Sequence, residues 1–231
     1  MKKTVLDHIE ELRKRIIIVA VFIALLSIVG IYFSGWFIRI LIDNLTTNVA
    51  VKFIATTPFE FISAQIKLGI FIGAILCIPI FLYHLARFVR PALRRSERKA
   101  LYISLPTCIL LFALGFAFAY FIFIKVALVF LGNLALKYGV DNYWSIGSFV
   151  TTVFLSCVMI GLVFNMPVAA FILSRIGILR KELLARKRRY VYVLIAIVAA
   201  VITPTPDALT MLLVMIPMMA LYEVSMLLVR K

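Results

Sequence analysis

Two carboxylates set among arginines are the residues of this chain with the plainest chemistry. Glu97 is the one acid between Arg87 and Lys99, a run that also holds five arginines. Glu11 stands two residues before Arg13 and four before Arg15 in a polar head, MKKTVLDHIEELRKR. A carboxylate offers two oxygens in one plane and a guanidinium offers a matching fork, so an acid set among arginines is able to form bidentate ion pairs. Charge-assisted bonds of this kind contribute about 1.5–3 kcal/mol each, and lysine cannot reproduce the bidentate geometry. One reading is local. Glu11 would pair with Arg15 at i,i+4 and Glu97 with a neighbouring arginine, both as exposed ion pairs of little consequence. Phe88, Pro91 and Leu93 would line a site or only pack the loop. Arg13 and Arg98 would orient the carboxylates or only set topology.

Other polar residues stand within apolar stretches. Asn165 lies ten residues before Arg175, about 15 Å along a helix, which places it near mid-membrane. Polar groups at that depth face protein or a cavity and find a partner. Asn165 would be a docking point for a partner helix or would bond within the chain. Asp207, after Thr203-Pro204-Thr205-Pro206, reads as the cap of a last helix, with Pro206 in the preceding outer turn. Glu60 reads as an interfacial cap, and Glu223 as a local hydrogen bond or salt bridge. His8 and His84 are the only histidines, and no HExxH, GxSxG, paired intramembrane aspartate or glycine-rich phosphate loop occurs. The chain is expected to be no enzyme, to hold no metal and to need no cofactor. Cys77, Cys108 and Cys157 lie in separate apolar runs and read as small buried hydrophobes.

The elements that must position these residues are membrane helices. With 65% hydrophobic residues and a mean hydropathy of +1.12, the chain has too few polar side chains to cover a water-soluble core. The net charge of +15 could suggest nucleic acid, but the cations cluster between apolar spans, where orientation explains them. No cleavable signal peptide is expected: the first apolar run is too long for a signal core. The reading is an all-α integral membrane protein, one membrane domain over 1–231, with an amphipathic cytoplasmic head at 1–15. Six transmembrane helices are expected at about 16–33, 58–85, 100–124, 149–174, 190–203 and 208–229. Phe37 to Leu45, broken by Arg39 and Asp43, reads as lying on the outer surface. Thr57-Pro58-Phe59-Glu60 reads as a helix start with a capping box, and Pro79 as a kink. Residues 125–148 are expected outside. The fifth span has only 14 residues between Arg189 and Pro204, about 21 Å against a hydrocarbon core of about 30 Å; the sixth is short as well in one reading. Of the 25 lysines and arginines, 20 fall on the side that holds both termini, which puts the termini in the cytoplasm.

The motifs in order resemble the TatC family, the polytopic component of the twin-arginine protein translocase. The head His8-Ile9-Glu10-Glu11-Leu12-Arg13-Lys14-Arg15 is similar to that family's HLxELRxR pattern. Pro79, Leu82, Tyr83, Phe88, Pro91, Ala92, Leu93, Glu97 and Arg98 resemble its first basic loop. Thr205, Pro206, Asp207, Ile216, Pro217, Tyr222 and Glu223 resemble its end. His84 stands where glutamine is usual, and Asn165 where the family has a glutamate linked to partner docking. The resemblance implies a receptor and scaffold in a prokaryotic cytoplasmic (inner) membrane. Glu11 and Glu97 would receive the consecutive arginines of a signal peptide on a folded precursor, with Arg13, Phe88, Pro91, Leu93 and Arg98 around them. Single-span partners of the TatA and TatB kind, a homo-oligomer within the complex and drive by the proton-motive force are implied too; nucleic acid is not. The alternative is a small secondary transporter with a midplane polar site, for which no repeat between halves is evident. A purely structural assembly factor is the third reading.

Overall fold

A computed structural model describes residues 5–47, 49, 51–92, 98–175, 186–203 and 207–228, with backbone alone at 5–8, 92, 98–100 and 228. The architecture is a bundle of long helices. Helix α1 runs Val5–Leu45 without a break, and its 41 residues span about 61 Å. Helices α2 (Glu60–Leu76) and α3 (Ile78–Val89) form one bent pair, 49° apart at Cys77. Pro79 sits in the first turn of α3, where its missing N–H interrupts the α2 ladder. Helix α4 (Arg98–Phe118) passes through a π-helical turn, Ala119–Phe123, into α5 (Ile124–Lys137). Helix α6 (Ile146–Val163) and α7 (Met166–Arg175) meet at a break over residues 164–165, just before Pro167. Helices α8 (Arg188–Ile202) and α9 (Ala208–Leu228) complete the described bundle.

Four of these runs are long and apolar enough to cross a membrane, and the bent α2–α3 pair makes a fifth. Helix α8, at 15 residues, measures about 22 Å. The outward faces are apolar: Leu227 is 79% exposed and Val201 74%. Such a surface suits lipid, not water.

Small residues let the helices approach. Gly69 and Gly73, spaced as GxxxG on α2, face Gly30, Ile31 and Ser27 of α1. A Cβ at Gly69 would lie 2.7 Å from the Ile31 amide nitrogen, and one at Gly30 would lie 3.0 Å from the Gly69 Cα. Close backbone approach through small residues is how helices associate where no hydrophobic drive acts between them. Beyond this seam the core mixes aliphatic and aromatic side chains. Phe71 of α2 stacks on Phe154 of α6 at 5.7 Å between centroids, and Phe112 packs on Gly161.

Several elements differ from the sequence reading, each for a physical reason. Residues 37–45 are not a separate surface stretch. They continue α1, because Ser34, Ile38, Leu41 and Leu45 recur at helical spacing and are buried, while Arg39 and Asp43 point outward. Helix α5 carries the third long run on to Lys137, well past residue 124. Helix α2 begins at Glu60, not at Pro58, and no capping box forms with Thr57. Residues 143–145, expected only to lie between two spans, form a short strand in the otherwise helical fold. Tyr143–Ser145 (β2) pairs in parallel with Lys52–Ile54 (β1), Phe53 opposite Trp144.

Candidate functional site

One end of the bundle gathers the start of α1 and the end of α3. Glu11 and Arg15 lie one turn apart on α1. The Arg15 Nη2 donates to Glu11 Oε1, and its Nη1 donates to the His84 carbonyl oxygen on α3 at 3.4 Å. The two side chains are only 12% and 21% exposed, unlike Glu10 and Lys14, which pair at 2.9 Å in the open. The local reading of Glu11, a pair with Arg15, is therefore the geometry observed, but it is half-buried and bridges two helices. Arg15 also lines an apolar cavity of about 230 Å³ between α1 and α3. Leu12, Ile16 and Val19 form one wall, and Phe81, Leu85 and Phe88 the other. Phe88 thus lines the same cavity as Arg15, from the facing wall. Arg13 is exposed on the same turn, and Pro91 is exposed in the short 3-10 turn Arg90–Ala92 that ends α3. Glu97 and Leu93 lie outside the described residues, as does the side chain of Arg98.

At the same end, α8 and α9 are pinned by Glu223. Its Oε1 accepts from Arg188 Nη2 and from the Tyr192 hydroxyl, and Arg188 Nε also donates to that hydroxyl at 2.9 Å.

The opposite end is closed by Glu60, which is buried at the start of α2. Its carboxylate accepts from the Thr56 amide, the Thr56 hydroxyl (2.5 Å), the Ser145 hydroxyl and the Gly147 amide (3.0 Å). Four donors from two segments tie the connection between α1 and α2 to the start of α6. Nothing local in the sequence marks Ser145 and Gly147 as partners. Asp207 accepts from the Thr210 amide at 2.8 Å and from the Thr210 hydroxyl at 2.5 Å, capping α9; Pro206 lies outside the described residues.

Asn165 stands at the α6–α7 break and is half-buried. Its Nδ2 donates to the Gly161 carbonyl at 3.1 Å, one turn back on α6. Its Oδ1 is buried and has no hydrogen-bond partner among the described residues. A buried acceptor without a donor costs about 1–3 kcal/mol.

The motifs and the bundle agree with a family model described as "Sec-independent protein translocase protein (TatC)", which matches residues 7–217. The chain belongs to the TatC family. It is 34% identical over 225 residues to the TatC protein of Carboxydothermus hydrogenoformans, covering 96% of this chain and 90% of that one. It is also 34% identical to the TatC protein of Aquifex aeolicus, covering 95% and 91%. A crystal structure described as the twin arginine translocase receptor TatC superposes with a TM-score of 0.82 at 34% identity, over 96% of this chain and 97% of that one. The TatC bundle is the frame on which the Glu11 cluster, the Glu60 cap and Asn165 are held. A TatC protein is a translocase component; among the described residues no group of side chains has metal-ligand geometry.

Proposed function

We propose that this protein spans a prokaryotic cytoplasmic membrane six times with both termini in the cytoplasm, and that it is the receptor of a twin-arginine translocase. Topology rests on 20 of the 25 lysines and arginines lying on the side of the termini. The fifth crossing is the α8 helix, short for a bilayer, which would tilt the balance towards local thinning.

The observation that carries the receptor reading is the half-buried Glu11 carboxylate paired with Arg15, a resident guanidinium one helix turn away whose side chain lines an apolar cavity. A carboxylate already held in arginine-binding geometry is suited to accept a guanidinium from outside. Glu97, on the basic segment that follows α3, would take the second arginine. Arg13 and Arg98 would orient the two acids, and Phe88, Pro91 and Leu93 would contact the apolar residues beside the arginines. A folded precursor would then stay in the cytoplasm while its signal engages. Single-span proteins of the TatA and TatB kind would assemble against the bundle, in a complex that can hold several copies of this chain, with the proton-motive force driving transport. The orphan Oδ1 of Asn165 offers one such helix an acceptor in a medium that supplies no water.

The test is export of a folded reporter carrying a twin-arginine signal, in cells whose own TatC protein is replaced by this one together with its partners. Export should depend on both arginines and should fall with Glu11→Ala and with Glu97→Ala at unchanged protein levels. Export indifferent to both substitutions would remove the two acids from the receptor role.

A further inference from the structure

The group that holds Glu11 has the same chemistry as the group Glu11 is proposed to receive. Arg15 places one Nη on the Glu11 carboxylate and the other on the His84 carbonyl, 3.4 Å away. That second contact is long for an N–H···O bond. The Arg15 Nε is buried and finds no acceptor among the described residues. The guanidinium is thus bound through one short contact and one long one, with a third donor unmet. It is held in place but not well satisfied. Its side chain also borders the α1–α3 cavity beside Leu12 and Phe88.

We propose that Arg15 is a resident stand-in for the signal arginine: it occupies the Glu11 carboxylate in the free protein and has to leave it when a twin-arginine segment binds. This rests on the receptor reading above. A carboxylate has two oxygens, and a guanidinium fork arriving from outside uses both. Arg15 already holds Oε1, so the two guanidinium groups compete for it. The apparent affinity for the signal is then the intrinsic affinity reduced by the fraction of protein in which Glu11 is released. Arg15 sets that fraction. Because its own bonds are incomplete, displacement is affordable for a well-fitted arginine pair.

Competition makes a prediction that a supporting role does not. Weakening Arg15 should tighten signal binding. The experiment is a titration of the purified full chain in detergent or nanodiscs with a fluorescent twin-arginine peptide. Arg15→Gln should bind about 3- to 10-fold tighter than the wild type, since the lost competitor is one partly buried charge-assisted pair. Arg15→Lys keeps the charge and the orientation signal, so it serves if the glutamine variant folds poorly. It should bind tighter by a smaller factor. Lys14→Gln removes an exposed neighbouring charge without touching Glu11 and should change affinity less than 2-fold, within the range of a surface pair. In a Glu11→Ala background the Arg15→Gln gain should vanish.

Binding that is unchanged or weaker in both Arg15 variants would overturn the proposal and make Arg15 a positioning residue for Glu11. A gain equal to that of Lys14→Gln, or one that survives Glu11→Ala, would overturn it as a general charge effect. No binding of the peptide to the wild type would instead sink the receptor reading itself, and the stand-in with it.

Discussion

The α1–α2 seam gives the sharpest stability prediction. A Cβ placed on Gly69 meets the Ile31 amide nitrogen at 2.7 Å and its Cα at 2.9 Å, where ordinary contact starts near 3.4 Å. These are backbone atoms of a helix, so they cannot rotate aside. The two helices would have to part by about 0.7 Å along the seam. Overpacking of this kind costs about 1–3 kcal/mol, and the gain in helix propensity from glycine to alanine returns at most about 1 kcal/mol. Gly69→Ala should therefore destabilise by roughly 0–2 kcal/mol, centred near 1. Gly35 is the internal control. It lies on the same helix as Gly30, but its Cβ would meet only the end of the Gln65 side chain, at 3.4 Å. Gly35→Ala should be neutral or stabilising by up to about 1 kcal/mol. The assay is reversible unfolding in mixed micelles, with the two variants beside the wild type. Gly69→Ala at least as stable as Gly35→Ala would refute the close-approach reasoning. The seam also fixes where the α1 start meets the α3 end, so Gly69→Ala should loosen the Arg15 to His84 contact as well.

Three further outcomes follow from other parts of the bundle. Glu60→Ala strands the Thr56 and Gly147 amide donors, so amide exchange at 56 and 147 should speed up more than in Glu60→Gln, which keeps one acceptor oxygen; equal rates in both variants would contradict the cap. Asn165→Leu removes a buried acceptor that has no partner among the described residues, so the isolated protein should unfold no more easily than the wild type, while co-purification with a single-span partner should fall. A clear loss of stability would mean that Asn165 serves the bundle itself. The bilayer beside α8, about 22 Å long against about 30 Å of hydrocarbon, should be thinner than elsewhere when lipid thickness is mapped around the protein in nanodiscs, and a flat bilayer there would dismiss the mismatch.

The apolar runs were legible because membrane helices need long stretches without charge, and Pro79 marked the bend between α2 and α3. Helix continuity was harder to read. Arg39 and Asp43 interrupt hydropathy, yet they sit on the outward face of α1 while Ile38 and Leu41 keep its buried face. Periodicity carried the signal that a running average lost. Lys125 hid the continuation of α5 in the same way, although Ala127, Leu128 and Gly132 stay buried beyond it. The partners of Glu60 were invisible, since Ser145 and Gly147 lie 85 and 87 residues away and strands of three residues have no usable period. The Glu11–Arg15 pair was legible from i,i+4 spacing alone. Its half-burial and its bridge to the His84 carbonyl were not, because they depend on how α3 returns to the start of α1.

The central claim is that Glu11 receives an arginine from a signal peptide. The most direct measurement is the affinity of the purified protein for a twin-arginine peptide and its Lys-Lys counterpart, in the wild type and in Glu11→Ala. The account predicts tighter binding of the arginine peptide and a loss of about 10-fold or more with Glu11→Ala, the equivalent of one charge-assisted bond. Equal binding of the two peptides, untouched by the substitution, would contradict it and leave Glu11 and Arg15 as an ordinary intrahelical pair.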